Sequence, residues 1–191
     1  KVKPGEVWAL GDHRLVCSKP TYDALKALMK DDLADLLYLD PPKNLILKKD
    51  RIEDIDQKLS MPLEACLLHV KPNAHILHWI DSKLIGMLQA IFIEHSLSEK
   101  RLCTWIKASP VMTPQVAFNK VCEFILYATK GKPEMNGAYK NLTEIMNKEV
   151  GSGNQMQEEV LDMLDLWIVK QKTAVVGEYS KPITLHERPL K

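Results

Sequence analysis

Short apolar runs alternate with longer amphipathic stretches along the chain, the pattern of strands and helices taking turns. Residues 7–10 and 14–17 flank Gly11-Asp12, and this spacing predicts a hairpin. Thr21 is placed to cap a helix reaching about residue 30, with Leu25, Leu28 and Met29 on one face. Leu36-Leu37-Tyr38-Leu39 is apolar without alternation, as in a strand covered on both faces. Residues 43–60 are polar and charged and predict a loop entering a helix, with 43–58 mobile. Residues 61–70, apolar on several sides, predict a buried helix. Lys71-Pro72-Asn73 then reads as a turn, and residues 75–80 as a strand. Asp81 stands as the cap of a further helix with Leu84, Ile85, Leu88, Ile91 and Phe92 inward. Residues 102–106 and 121–128 predict two more strands. The alternation implies an α/β fold with a largely parallel, doubly wound sheet. No repeat or low-complexity stretch interrupts it.

A chain of 191 residues is long enough for one self-sufficient core, so a single domain over 1–191 is expected. Apolar residues at 46% and charged residues at 27% exclude disordered and fibrous classes. With a net charge of +1, attraction to nucleic acid must come from a local patch. Cys17, Cys66, Cys103 and Cys122 are widely spaced and form no Cys-x-x-Cys pair. Reduced, buried thiols of a cytoplasmic protein are the expectation. There is no run of membrane-spanning length and no signal peptide. The sequence opens on Lys1 rather than Met, so the native start is expected elsewhere.

The chemistry concentrates where the 36–39 run ends in Asp40-Pro41-Pro42. In open α/β sheets, ligands bind at the carboxyl ends of strands. Two prolines remove two backbone donors, leaving the Asp40 carboxylate and neighbouring carbonyls as an acceptor cluster. Such a cluster suits a substrate that presents an NH2 group. The remaining polar features are less pointed. His75 and His78 fall on opposite faces of a strand, so with His69 they read as core or surface histidines, and no metal is expected. Lys43, Lys48, Lys49 and Arg51 form either a phosphate-binding run or a solvated charged face. Trp79, Trp105 and Trp167 sit in apolar contexts and read as core. Gly151-Ser152-Gly153 follows no strand and reads as a loop.

Asp40-Pro41-Pro42-Lys43-Asn44 resembles the Asp/Asn/Ser-Pro-Pro-aromatic motif of the DNA amino-methyltransferases. That family transfers a methyl group from S-adenosylmethionine to adenine N6 or cytosine N4. Other segments resemble it in order and spacing: residues 6–17, 68–79, 104–107, 123–131, 166–169 and 180–182. They match the subgroup whose catalytic half precedes its cofactor half. The resemblance implies a Rossmann-like methyltransferase fold and makes Asp40, Pro41, Pro42 and Lys43 the catalytic motif. It implies DNA contacts from Lys43, Asn44, Lys48 and Lys49, and cofactor contacts from Cys17, Ser18, Lys181 and Pro182. Residues 132–178 occupy the place of a target-recognition insert, where Lys140, Lys148 and Asn154 are candidates to touch DNA.

Three departures qualify what is implied. Lys43 replaces the aromatic residue that stacks on the target base. Ser18 and Lys19 replace a Gly-Asp pair whose acid helps hold the cofactor. The Gly-rich cofactor loop does not follow Pro182 within these residues. The cofactor half is therefore expected to be absent or carried elsewhere, and this chain alone to hold S-adenosylmethionine weakly or not at all. Implied partners are double-stranded DNA and either a second copy or a partner chain supplying the cofactor half, with no membrane. The reading is an adenine-N6 methyltransferase of the restriction-modification kind acting on a flipped base. The alternative is a non-catalytic relative that binds DNA or serves assembly.

Overall fold

The computed structural model describes residues 2–42, 49–111, 120–135, 166–168 and 185–186. The chain divides into two compact units, Lys1–Lys100 with Leu126–Pro133, and Arg101–Ile125 with Glu134–Lys191.

The first unit opens with the expected hairpin, β1 (Val7–Leu10) and β2 (His13–Val16), one residue earlier in its second strand than the sequence suggested. Leu10 pairs with His13, so Gly11 and Asp12 are the two turn residues. Gly11 has φ +62 and Asp12 has no positive φ, as a type II′ turn requires. Helix α1 (Tyr22–Met29) begins where Thr21 accepts the Ala24 N–H. Arg14 of β2 reaches the end of this helix, donating to the Met29 carbonyl at 3.3 Å and pairing with Asp32.

Strand β3 (Ala34–Leu39) carries the apolar run and pairs in parallel with β4 (Val70–Ile80). Between them lies α2 (Ile52–Leu67). This helix starts well before the residue 61 expected from composition. Its charged first turns are the solvent side of an amphipathic helix, whose buried side is Leu59, Leu63 and Cys66. The Asp54 carboxylate also accepts the Arg51 N–H at 3.0 Å, closing the first turn. Residues 52–60, expected as a loop, are thus helical, and residues 43–48 lie outside the described residues.

A second correction concerns Lys71-Pro72-Asn73, which lies within β4 and not in a turn. Ala34 pairs with Val70 while Leu36 pairs with His75, so β4 bulges between the two contacts. Pro72, which has no N–H for a ladder, falls inside that bulge. Helix α2 accordingly ends at Leu67 instead of running to residue 70.

Asp81 caps as expected, its carboxylate accepting the Lys83 N–H at 3.1 Å. The turn it caps is 3-10 in form (Ser82–Leu84) and leads into α3 (Ile85–Glu94). Leu88, Ile91 and Phe92 of α3 join Leu59, Leu63, Ile76 and Leu77 in the core of this unit. In the second unit, Cys103, Trp105, Ile125 and Leu185 are buried.

Strands β5 (Ser98–Val111), β6 (Lys120–Lys130) and β7 (Leu166–Ile168) complete a sheet of order β3-β4-β6-β5-β7. The first two are longer than the 102–106 and 121–128 expected. Strands β5 and β7 are parallel, in the register Trp105 to Trp167. Trp79 and Trp105 are core residues, at 3% and 1% exposure. The side chain of Trp167 is outside the described residues. Cys66 and Cys103 are buried as expected, but Cys17 is exposed past the hairpin and Cys122 only half-buried; burial pushes the Cys66 thiol up to about 11, so it is an inert core group. Among the described residues no helix is long and apolar enough to cross a membrane.

Gly131 closes β6 with φ +59, and a Cβ there would fall on Asn73 Oδ1 and the Pro72 carbonyl. Asn73 Oδ1 instead accepts the Lys132 N–H at 2.9 Å. The left-handed backbone and the close approach act together against any side chain. Replacement Gly131→Ala is expected to destabilise the fold by at least ~1–2 kcal/mol. Urea unfolding of both proteins measures the difference.

Candidate functional site

The site is built on the carboxyl ends of two parallel strands. In the β3–β4 register Tyr38 lies opposite Leu77, and Leu39 opposite His78. Asp40 is the first residue past β3 and is exposed, with Pro41 half-buried and Pro42 exposed. This is the position at which open α/β sheets bind ligands. The chain beyond Asp40 offers carbonyls but no N–H at Pro41 or Pro42.

Near Asp40 the two strand ends carry engaged polar groups, Tyr38 and Trp79 on one face and His78 on the other. Trp79 Nε1–H donates to the Tyr38 hydroxyl at 2.6 Å. Burial, and to a lesser degree the Asp40 charge, pushes the Tyr38 hydroxyl up to about 12, against the lowering effect of the Trp79 bond. The hydroxyl therefore stays protonated across physiological pH. His78 is 3% exposed, and its Nδ1 lies 2.7 Å from the Trp79 carbonyl. A carbonyl only accepts, so Nδ1 carries the proton and Nε2 the lone pair. Burial pulls His78 down to about 4, opposed by the Trp79 carbonyl and by Asp40, so the ring is neutral. Asp40 thus acts electrostatically on both neighbours. The second acid at this strand end, Asp81, spends its carboxylate on the cap of the following turn.

The other residues singled out in the sequence fall as follows. Cys17 and Ser18 are exposed just past β2, in the separate two-stranded sheet. Lys49 is exposed in the turn before α2. Lys43, Asn44, Lys48, Lys181 and Pro182 lie outside the described residues, as do Lys140, Lys148 and Asn154. The structure therefore brings Asp40, Pro41 and Pro42 together with Tyr38, His78 and Trp79. Of these last three, sequence reasoning had Tyr38 as strand filler and Trp79 as core. The missed signal was position: His78 and Trp79 end the strand that pairs with β3. His75, three residues earlier, is instead bound to the Tyr127 hydroxyl at 2.9 Å.

These groups include one exposed carboxylate, that of Asp40. They do not form a cradle for a cofactor: Pro41 and Pro42 have no N–H to offer, and the Trp79 N–H is already engaged.

The sequence matches no protein-family model and no curated protein. In structure the chain is similar to the complex of M1.HpyAVI, a DNA methyltransferase, with SAM. That likeness has a TM-score of 0.51 and 17% identity, over 84% of this chain and 67% of the other. A second structure of M1.HpyAVI gives a TM-score of 0.42 and 21% identity, over 59% of this chain and 56% of that one. The chain thus spans about two-thirds of the first and just over half of the second. The first likeness establishes the fold as Rossmann-like α/β, the fold that M1.HpyAVI shares.

The neutral state of His78 has a thermodynamic consequence. In the unfolded chain the ring takes a proton near its ordinary value of 6.5, and in the folded chain only near about 4. Between these values the unfolded state binds the extra proton. The contribution is complete above pH 6.5 and is lost as pH falls toward 4, up to about 3 kcal/mol. Replacement His78→Gln is expected to flatten the pH dependence of stability in that window, measured by urea unfolding at pH 4.5, 5.5 and 7.

Proposed function

We propose that this chain carries the catalytic half of a DNA amino-methyltransferase, with adenine N6 as the favoured acceptor and the target base flipped out of the duplex. The observation that carries the reading is Asp40. It is an exposed carboxylate at the carboxyl end of a parallel strand, followed by two residues without N–H, in a Rossmann-like α/β fold. An exocyclic amine on a base is a poor nucleophile because its lone pair is delocalised into the ring. Asp40 and a neighbouring backbone carbonyl accept its two N–H bonds, which favours a pyramidal nitrogen with its lone pair free. S-adenosylmethionine, when bound, supplies the electrophilic methyl group that this nitrogen attacks, the sulfur keeping the electron pair of the broken C–S bond. The nitrogen then sheds one proton to Asp40 or to water. Positioning and electrostatics are most of the protein's contribution. Flipping the base costs a few kcal/mol, which contacts to the extruded base must offset.

Adenine is favoured over cytosine because Asp, rather than Ser, precedes the two prolines. Lys43, Asn44, Lys48 and Lys49 are the proposed DNA contacts. Cys17, Ser18, Lys181 and Pro182 are the proposed border of the cofactor. A second reading has its own observation. Lys43 stands where an aromatic face would hold the base, which favours a non-catalytic relative that grips DNA through phosphates.

One experiment separates the two. Tritiated methyl transfer to duplex DNA is measured with the intact protein, its Lys43→Tyr and its Asp40→Ala variants, and the methylated base is identified after hydrolysis. The stacking face restored by Lys43→Tyr contributes roughly 1–3 kcal/mol. Transfer is expected to rise about ten-fold or more, at ~1.4 kcal/mol per decade. Asp40→Ala abolishes it. Absence of transfer from parent and Tyr variant alike, with DNA binding intact, removes the enzyme reading. In that case Lys43→Tyr weakens DNA binding and makes its salt dependence shallower.

A further inference from the structure

The hydrogen bond between Trp79 and Tyr38 is laid out in an informative way. Tyr38 lies opposite Leu77, so Trp79 is two residues further along the partner strand, on the same face. The bond is therefore diagonal and points toward the carboxyl ends of both strands. Its donor is an indole N–H in a side chain only 3% exposed, a group with nothing to accept. Its acceptor sits two residues before Asp40. Strand β3 is at the end of the sheet order, paired with β4 alone among the described residues. Just past Asp40, Pro41 and Pro42 have no N–H with which to continue a backbone ladder. The Tyr38–Trp79 bond adds a side-chain tie at the point where the backbone pairing of Leu39 with His78 ends.

We propose that the Tyr38–Trp79 pair is a positioning device for Asp40. The core-anchored indole fixes the Tyr38 hydroxyl and, through it, the end of β3 from which Asp40 projects. The proposal rests on Asp40 as the acceptor of the amino group, because only a precisely placed acceptor makes the tie matter for rate. Misplacement by about 1 Å costs as much as a hundred-fold in a reaction that depends on positioning. Tyr38 is thus a positioning residue, acting through Asp40.

The test uses Tyr38→Phe, which removes one hydroxyl, and Trp79→Phe, which removes the donor and leaves the hydroxyl. Two measurements are made on the intact protein. Hydrogen exchange followed by mass spectrometry reads residues 36–40 against α3. Single-turnover methyl transfer with S-adenosylmethionine and duplex DNA reads kcat against the KM for DNA. In both variants exchange at 36–40 is expected to rise ten-fold or more beyond any rise in α3. Tyr38→Phe is expected to lower kcat about ten-fold with KM for DNA within two-fold. A uniform rise in exchange over β3, β4 and α3, with kcat per folded molecule unchanged, would make the bond an ordinary satisfied core contact and overturn the proposal. If the parent transfers no methyl group yet exchange still loosens at 36–40 alone, the tie to the strand end stands and the catalytic reading of Asp40 falls.

Discussion

The site hangs on the parallel pairing of β3 with β4. Parallel strands bring their carboxyl ends to the same edge, so Tyr38 and Asp40 at one end and His78 and Trp79 at the other arrive as neighbours from positions some forty residues apart in sequence. The register is equally decisive. A slip of one residue would turn every side chain of β3 to the other face, moving Tyr38 away from Trp79. The bulge around Pro72 is what reconciles this register with the chain's entry from α2, because it absorbs the residues of β4 that β3 does not match. Gly131 in turn lets β6 end against that bulge without collision.

Around this pairing the polar groups at the strand ends have assigned partners. The indole of Trp79 is bound to Tyr38, the imidazole of His78 to a carbonyl, and the Asp81 carboxylate to the turn after β4. Buried donors and acceptors without partners are costly, so these bonds fix the geometry as well as stabilising it. The result is a rigid set of groups beside an exposed acid. Its ionisable members are held neutral by burial, His78 as a free base and Tyr38 as an intact phenol. Asp40 is left as the exposed charge of this set.

Much of this architecture was legible from residue pattern. The hairpin at Gly11-Asp12, the capped helix after Thr21, the apolar β3 and the Asp81 cap follow from local chemistry, and each is present. The failures were also local in origin. Residues 52–60 look like a loop because their charged face outnumbers their apolar one, yet Leu59, Leu63 and Cys66 have somewhere to bury. Lys71-Pro72-Asn73 has the composition of a turn, and only the partner strand reveals that a proline can sit in a bulge there. In the site, Asp40-Pro41-Pro42 stood out because its chemistry is contiguous in sequence. Tyr38, His78 and Trp79 did not, because nothing near each of them mentions the others.

The sequence by itself determined the alternation of elements, the acid at the end of an apolar strand and the loss of backbone donors after it. These are properties of neighbouring residues, carried by side-chain periodicity and by proline's missing N–H. Tertiary structure alone decided which strand pairs with β3, in what register, and therefore which side chains lie near Asp40. Pairing is a contest among distant segments, settled by burial of whole faces and by the partners that enclosed polar groups find. No stretch of the chain read on its own contains that information.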